Sequence, residues 1–281
     1  MVKMIDRFAP MNLTYQKFQL QTFLNDVSEV GFTKIDLWTC PTHYYVDNYF
    51  HSDTDQLKRQ LQQKKMSISC ISPRQSCPNP FHLAAKDKEM ICRTKNYFQH
   101  VVYSAHELEA PRIMITSGWS FNDETRVEAW KRSVSFCKWL CRFAESYGVK
   151  VAIEPLTPQS TKLVNSMGEM EKYIADVDER NLKIIVDTGT IRREKESLSQ
   201  YFQFFGEIID YCHLTNYKKG QFAHVDWTDG ELHLASTLKE IEQNHYQGDF
   251  CLEYTHKDYL NNPREIYETT YNQLLKMEEN K

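Results

Sequence analysis

Three observations predict that the 281-residue chain folds as a single α/β domain spanning 1–281, a closed (β/α)8 barrel (a TIM barrel). Eight strand-length apolar runs alternate with amphipathic helical stretches. No linker or charge block interrupts them. The last four runs end, roughly 26–40 residues apart, on Glu154, Asp187, His213 and Glu253, a spacing that suits one strand-plus-helix repeat of a parallel barrel. An open doubly wound sheet is the competing topology. The count of eight favours closure, and the G-x-G-x-x-G turn of a dinucleotide-binding sheet is absent.

The elements follow in order. A weak strand over 2–9 precedes a helix from about Thr14 to Val30, with Phe18, Phe23 and Val27 on one face and Gly31 as its stop. Thr33–Trp38 reads as the second strand, Asp53 as the cap of a helix to Lys65, and Met66–Ile71 as the third strand. The loop Ser72–Pro80 carries three prolines and is irregular. A helix from Leu83 to Leu108, a strand Arg112–Thr116, a helix Glu124–Tyr147 stopped by Gly148, and a strand Val149–Glu154 complete the first five strands. The second half alternates helix 167–177, strand 182–187, helix 198–206, strand 209–214, helix 234–244, strand 249–254 and a final helix 263–277.

Bulk properties exclude several classes of function. A formal charge of −4 provides no positive field for nucleic acid or an anionic membrane. The N-terminal MVKMIDRFAPMN lacks the apolar stretch of a signal peptide, and no segment approaches the ~20 apolar residues of a membrane span. The eight cysteines include no C-x-x-C pair. Cys70, Cys212 and Cys251 sit in apolar runs and Cys137 and Cys141 lie four apart on a helix, so buried reduced thiols and a cytoplasmic location are expected. The expected partner is a small molecule, with no nucleic acid or membrane involved.

In a parallel barrel the C-terminal ends of the strands share one rim, so Glu154, Asp187, His213 and Glu253 are expected to converge there. A lone acid after a strand is usually a cap or turn former, and a lone histidine usually a wall residue; four at consecutive strand ends point instead to metal ligation. Three carboxylates and an imidazole suit a hard or borderline divalent ion such as Mn2+, Co2+ or Mg2+, and the absence of thiolate disfavours structural zinc. Glu154 and Glu253 come from strands far enough apart to face opposite sides of a substrate. They are therefore also the candidate catalytic acid and base for proton transfer next to a carbonyl.

The segments Ile153-Glu-Pro-Leu-Thr-Pro158, Val186-Asp-Thr-Gly189, His213-Leu, Asp229–Leu234 and Leu252-Glu-Tyr254 resemble the sugar phosphate isomerase/epimerase family of xylose-isomerase-like TIM barrels, most of all its fructoselysine 3-epimerases and ketose 3-epimerases. The resemblance covers nearly the whole chain and is densest over 150–255. It implies a carbohydrate isomerase with one divalent ion (Mn2+ first; Co2+, Mg2+ or Zn2+ otherwise) held by Glu154, Asp187, His213 and Glu253. It further implies proton exchange at carbon 3 by the two glutamates through a cis-enediolate, and a dimer or tetramer. Asp36–Trp38 and His43 resemble the family's second-strand block I-E-x-W with its following histidine, with Asp in place of Glu.

The chain departs from common relatives where Ser160 replaces a Glu, Thr190 a His and Asn216 an Asp. These three positions, with His224, are the candidate substrate contacts, although His224 also suits a solvent-facing loop. Lys218, Lys219 and Arg74 are either contacts to an anionic group or solvated cations. Tyr44, Tyr45 and Phe50 suit an interface or a cap on the pocket. Related outcomes of the same chemistry are a hydroxypyruvate-type isomerase or an inosose-type dehydratase; a non-catalytic sugar-binding barrel is the reading of another class. Endonuclease-IV-like DNA repair is disfavoured because Phe222 stands where the Asp partner of His224 would be needed and the chain is acidic.

Overall fold

The computed structural model describes residues 3–75 and 79–279; Cys77, in the middle of the proline-rich loop, lies outside them. Eight parallel strands form the barrel: β1 (Phe8–Pro10), β2 (Lys34–Thr39), β3 (Ser67–Pro73), β4 (Arg112–Thr116), β5 (Lys150–Glu154), β6 (Leu182–Asp187), β7 (Ile209–His213) and, after a short hairpin β8 (Asn216–Tyr217) and β9 (His224–Val225), β10 (Asp249–Leu252). Around them run α1 (Leu20–Val30), α2 (Thr54–Gln63), α3 (Lys88–Glu107), α4 (Arg126–Glu145), α5 (Met167–Val177), α6 (Thr188–Arg193), α7 (Leu198–Phe205), α8 (Leu234–Gln243) and α9 (Pro263–Glu279). This is the predicted barrel, with β10 as its eighth strand.

Closure is incomplete as a ladder. The order β1-β10-β7-β6-β5-β4-β3-β2 leaves β1 and β2 joined by one bridge, Met11 to Asp36. The side chain of Asn12 completes the seam: its Nδ2 donates to Trp38 O at 3.0 Å and its Oδ1 accepts from Trp38 N at 2.7 Å. An amide side chain thus replaces a strand residue just past Pro10, which has no N–H to donate. His43 Nδ1 lies 2.7 Å from the same Nδ2 and its Nε2 lies 2.9 Å from Phe18 O, so the histidine of the second-strand block braces this seam.

Three element starts differ from expectation by about five residues or more. The chain from Asn12 to Tyr15 is a 3-10 turn and α1 starts only at Leu20, because Asn12 and Thr14 spend their polar groups on Trp38 and on the Tyr267 hydroxyl. Helix α3 starts at Lys88, capped by Asp87, because Leu83, Ala84 and Ala85 are buried as a loop. Gly118 packs against that loop, and a Cβ there would lie 2.8 Å from Ala84 N. The first strand is shorter than expected, with a 3-10 turn at Met4–Arg7 before it.

Strand periodicity sets the two cores. Ile153, Ile184, Val186, Cys212 and Leu252 face the helices, whereas Ala152, Ile185, Tyr211, Cys251 and Cys70 fill the barrel interior. Side chains two apart on a strand share a face. Residues two beyond Ala152, Ile185, Tyr211 and Cys251 therefore also point inward, one layer nearer the rim, and these are Glu154, Asp187, His213 and Glu253. The seven described cysteines are free, and all but Cys92 are buried. No helix among the described residues is long and apolar enough to cross a membrane.

Candidate metal centre

The four strand-end residues meet. Glu154, Asp187, His213 and Glu253 each bring one ligand atom within 4.8 Å of the others. His213 Nδ1 stands 2.9 Å from Glu154 Oε1 and 3.2 Å from Glu253 Oε2. At neither contact is the ring aligned to donate a hydrogen bond, so both ring nitrogens are buried without a partner. Asp187 Oδ1 accepts from Thr190 N at 2.5 Å and from Thr215 Oγ1 at 2.7 Å, while its Oδ2 is buried and unpartnered.

These atoms fit a divalent cation. Two buried carboxylates and the half-buried Glu253 face only two imidazoles, His213 and His224, and such a concentration of acid in a low-dielectric interior calls for a counter-charge. The unpartnered Asp187 Oδ2 and the misaligned His213 Nδ1 supply lone pairs that no hydrogen in the protein satisfies. Oxygen-rich donors with one imidazole match Mn2+, Co2+, Mg2+ or Zn2+.

The same crowding perturbs the acids. Burial raises the Glu154 carboxyl above its ordinary range, opposed by the neighbouring His213 charge. For Glu253 burial pushes in the same direction but is outweighed by the His213 contact and the nearby His224, so its carboxyl is lowered. Burial alone would lower the His213 imidazole, yet the charge of Glu154 and the two glutamate contacts hold it well above 6.5.

Above the four residues opens a cavity of about 620 Å3, a size typical of small-molecule sites. Glu154 and Glu253 form part of its wall, together with Ser160, Thr190 and His224 from the predicted substrate set and Arg74 from the proline-rich loop. His224, on β9, holds its Nε2 3.9 Å from Asp187 Oδ2, and its Nδ1 is buried without a partner. Thr190 sits in α6, the short helix that Asp187 caps. An Asp followed by Thr-Gly-Thr is a cap signal, and it could have announced that helix.

Asn216 is placed differently. It is fully buried, does not line the cavity, and spends its amide on Asp226 O, Leu232 O and Leu232 N. It braces the loop behind the hairpin, so its expected role as a substrate contact is corrected. Lys218 pairs with Asp229 at 2.6 Å on the surface and, like Lys219, stays out of the cavity wall. Tyr44 is buried with its hydroxyl on Ser104, so it neither caps the pocket nor offers an exposed interface; Tyr45 meets the exposed Phe50 ring at a tilt, centroids 5.2 Å apart, outside the cavity wall.

Sequence reasoning missed several wall residues. Trp38 and Trp119 line the cavity, and Trp119 stacks on His82 with ring centroids 4.1 Å apart. Gln75 lines it too, its Oε1 accepting from Thr116 N. Thr215, two residues beyond His213, was legible as an inward position by the strand period.

Fold and rim together define a (β/α)8 barrel with a carboxylate–imidazole cluster suited to a divalent metal at the C-terminal ends of its strands. The chain belongs to the xylose isomerase-like TIM barrel family, whose model matches residues 24–276. It is similar to the fructoselysine 3-epimerase of Escherichia coli O157:H7, with 22% identity over 250 residues, covering 89% of this chain and 90% of the relative. Among solved structures, it is similar in fold to D-psicose 3-epimerase with D-tagatose from Clostridium cellulolyticum H10 (TM-score 0.75, 16% identity, 97% and 98% of the two chains). The IOLI protein with a binding zinc atom is a comparable neighbour (TM-score 0.78, 16% identity, 96% of each chain).

Proposed function

We propose that the protein is a divalent-metal-dependent sugar epimerase that inverts carbon 3 of a ketose or a fructosamine-type conjugate such as fructoselysine. One observation carries this reading. Glu154, at the end of β5, and Glu253, just past β10, come from different strands to within 2.9 and 3.2 Å of the same His213 nitrogen, and both form the wall of one cavity. Two carboxyls so placed can remove a proton from one face of a carbon and return one to the other. A divalent ion bound by Glu154, Asp187, His213 and Glu253 would supply polarisation of the substrate's adjacent carbonyl and hydroxyl oxygens, acidifying the C–H between them. The kinship with fructoselysine and psicose 3-epimerases supports the choice of substrate class.

The chain's own groups assist. Asp187 is oriented through its Oδ1 by Thr190 N and Thr215 Oγ1, and Trp38 and Trp119 offer flat apolar walls of the kind that sugar faces pack against. Incubation with Mn2+ and a panel of ketoses and glycated lysine in heavy water is expected to place deuterium at carbon 3 of one substrate. Glu154→Gln and Glu253→Gln should each abolish that exchange. Absence of label from every substrate with the metal-loaded protein would sink the proposal. Label accompanied by loss of water or a carbonyl shift, without inversion, would reassign it to a dehydratase or an aldose–ketose isomerase.

A further inference from the structure

Directly beneath the four rim residues lies a second group of polar side chains that the chemistry above does not use. Asp36 on β2 is fully buried, and Ser72 Oγ donates to its Oδ1 at 2.6 Å, but its Oδ2 has no partner. The Tyr211 hydroxyl and His213 Nε2 are also buried and unpartnered, and the Tyr211 ring meets the His213 ring edge-on at 5.6 Å. Asp36, His213 and Cys251 bring one ligand atom each within 4.8 Å of one another.

Such a concentration of unsatisfied groups is costly unless the groups serve one another. Donors and acceptors match: a carboxylate oxygen can accept from an imidazole N–H and from a phenol O–H. With Nδ1 turned to the two glutamates, Nε2 is the nitrogen left for Asp36. We infer that Asp36 is a positioning residue for the metal centre: its carboxylate stands beyond hydrogen-bond distance of His213 here but brings a ligand atom within 4.8 Å of it, and when the ion is held it closes on the Nε2 proton, fixes the tautomer in which Nδ1 carries the lone pair, and aims that lone pair between Glu154 and Glu253. Ser72 holds the carboxylate from behind, and Tyr211 donates to it from the side.

The arrangement is a carboxylate–histidine–metal relay, in which the outer acid raises the basicity of the ligand and locks its ring; loss of such a partner weakens metal binding about 10–100-fold. Cys251 contributes bulk to the same layer, and its thiol is not needed as a ligand. The inference rests on the metal-centre part of the proposed function, not on the identity of the sugar.

The test is titration of chelator-treated full-length protein with Mn2+, read by calorimetry together with thermal unfolding of the metal-free form. Asp36→Asn keeps shape and removes the charge. It is expected to weaken Mn2+ about 10–100-fold, while the metal-free melting temperature falls only modestly because the isosteric amide keeps an acceptor oxygen. Ser72→Ala leaves the carboxylate but frees it to turn, and is expected to weaken Mn2+ in the same direction by a smaller factor; it serves if Asp36→Asn fails to fold. Nitrogen NMR of the Mg2+-loaded wild type should find the His213 proton on Nε2.

An Asp36→Asn protein with unchanged Mn2+ affinity, or a metal-bound Nε2, overturns the assignment. So does a lower metal-free melting temperature with affinity intact, which is what a purely structural role predicts. Wild-type protein that binds no Mn2+ removes the metal centre itself, and this role with it. Normal Mn2+ binding without any deuterium exchange would instead count against the epimerase reading alone.

Discussion

Thr215 and Asp187 divide one carboxylate between two tasks. The threonine hydroxyl donates to Asp187 Oδ1 at 2.7 Å, and Thr190 N reaches the same oxygen, so Oδ2 is left free to face the cluster. Gly189 N in turn donates to Thr215 Oγ1 at 2.9 Å, and Thr188 Oγ1 to Thr215 O at 2.6 Å. A residue with no place in the ligand set thereby decides which way a ligand points.

Thr215→Val preserves the volume and removes the hydroxyl. Mn2+ affinity is expected to fall about 10-fold or more, because Asp187 can then rotate out of line. Stability should fall by roughly 1–3 kcal/mol, since Gly189 N loses its buried acceptor. Calorimetric titration and urea unfolding measure the two effects; an unchanged Mn2+ affinity would deny Thr215 its orienting role.

His82 gives a pH dependence that is separate from the metal. It is buried behind Trp119, accepts from Trp119 N at 3.4 Å through Nδ1, and leaves Nε2 without a partner. Burial, helped by the charge of Arg132, lowers its pKa from 6.5 to about 4. Between those values the unfolded chain binds the proton and the folded one does not. The stability that His82 contributes is therefore complete above pH 6.5 and is lost as pH falls towards 4, by up to roughly 3 kcal/mol. Urea unfolding across pH 4–7 should show that loss in the wild type and a shallower one in His82→Phe, and equal slopes would contradict it.

Asn216 tests the distinction between bracing and binding. Its amide is buried against Leu232 and Asp226, and a Cβ at Gly230 would come within 2.2 Å of it, so no other side chain fits that slot. Asn216→Ala should destabilise the fold by about 2–4 kcal/mol by stranding the main-chain groups it satisfies. A substrate contact would behave in the opposite way, raising KM with unfolding unchanged. Unfolding and saturation curves on the same preparation separate the two.

Much of the site was legible because strands repeat every two residues and parallel barrels aim all their C-terminal ends at one rim. Ala152 and Glu154, Ile185 and Asp187, Tyr211 and His213, Cys251 and Glu253 form four inward pairs that the bare pattern exposes. Ser160, Thr190 and His224 were reached through the resemblance to the isomerase/epimerase family, and all three form part of the cavity wall. Asn216 was misread because the short β8–β9 hairpin turns the chain just after His213 and takes the side chain inward behind the loop. Local spacing carries no information on that turn.

Sequence alone therefore determined the eight strand-plus-helix units of the barrel and the four residues that meet at the rim, since these depend on periodicity within single elements. Only the tertiary structure decided how the seam closes through Asn12 and Trp38, which nitrogen of His213 faces the glutamates, and that Asp36 from β2 lies under an imidazole from β7. Those facts depend on how elements from opposite ends of the chain are staggered around the barrel. Stagger is set by packing of the interior layer as a whole, and no single stretch of residues encodes it.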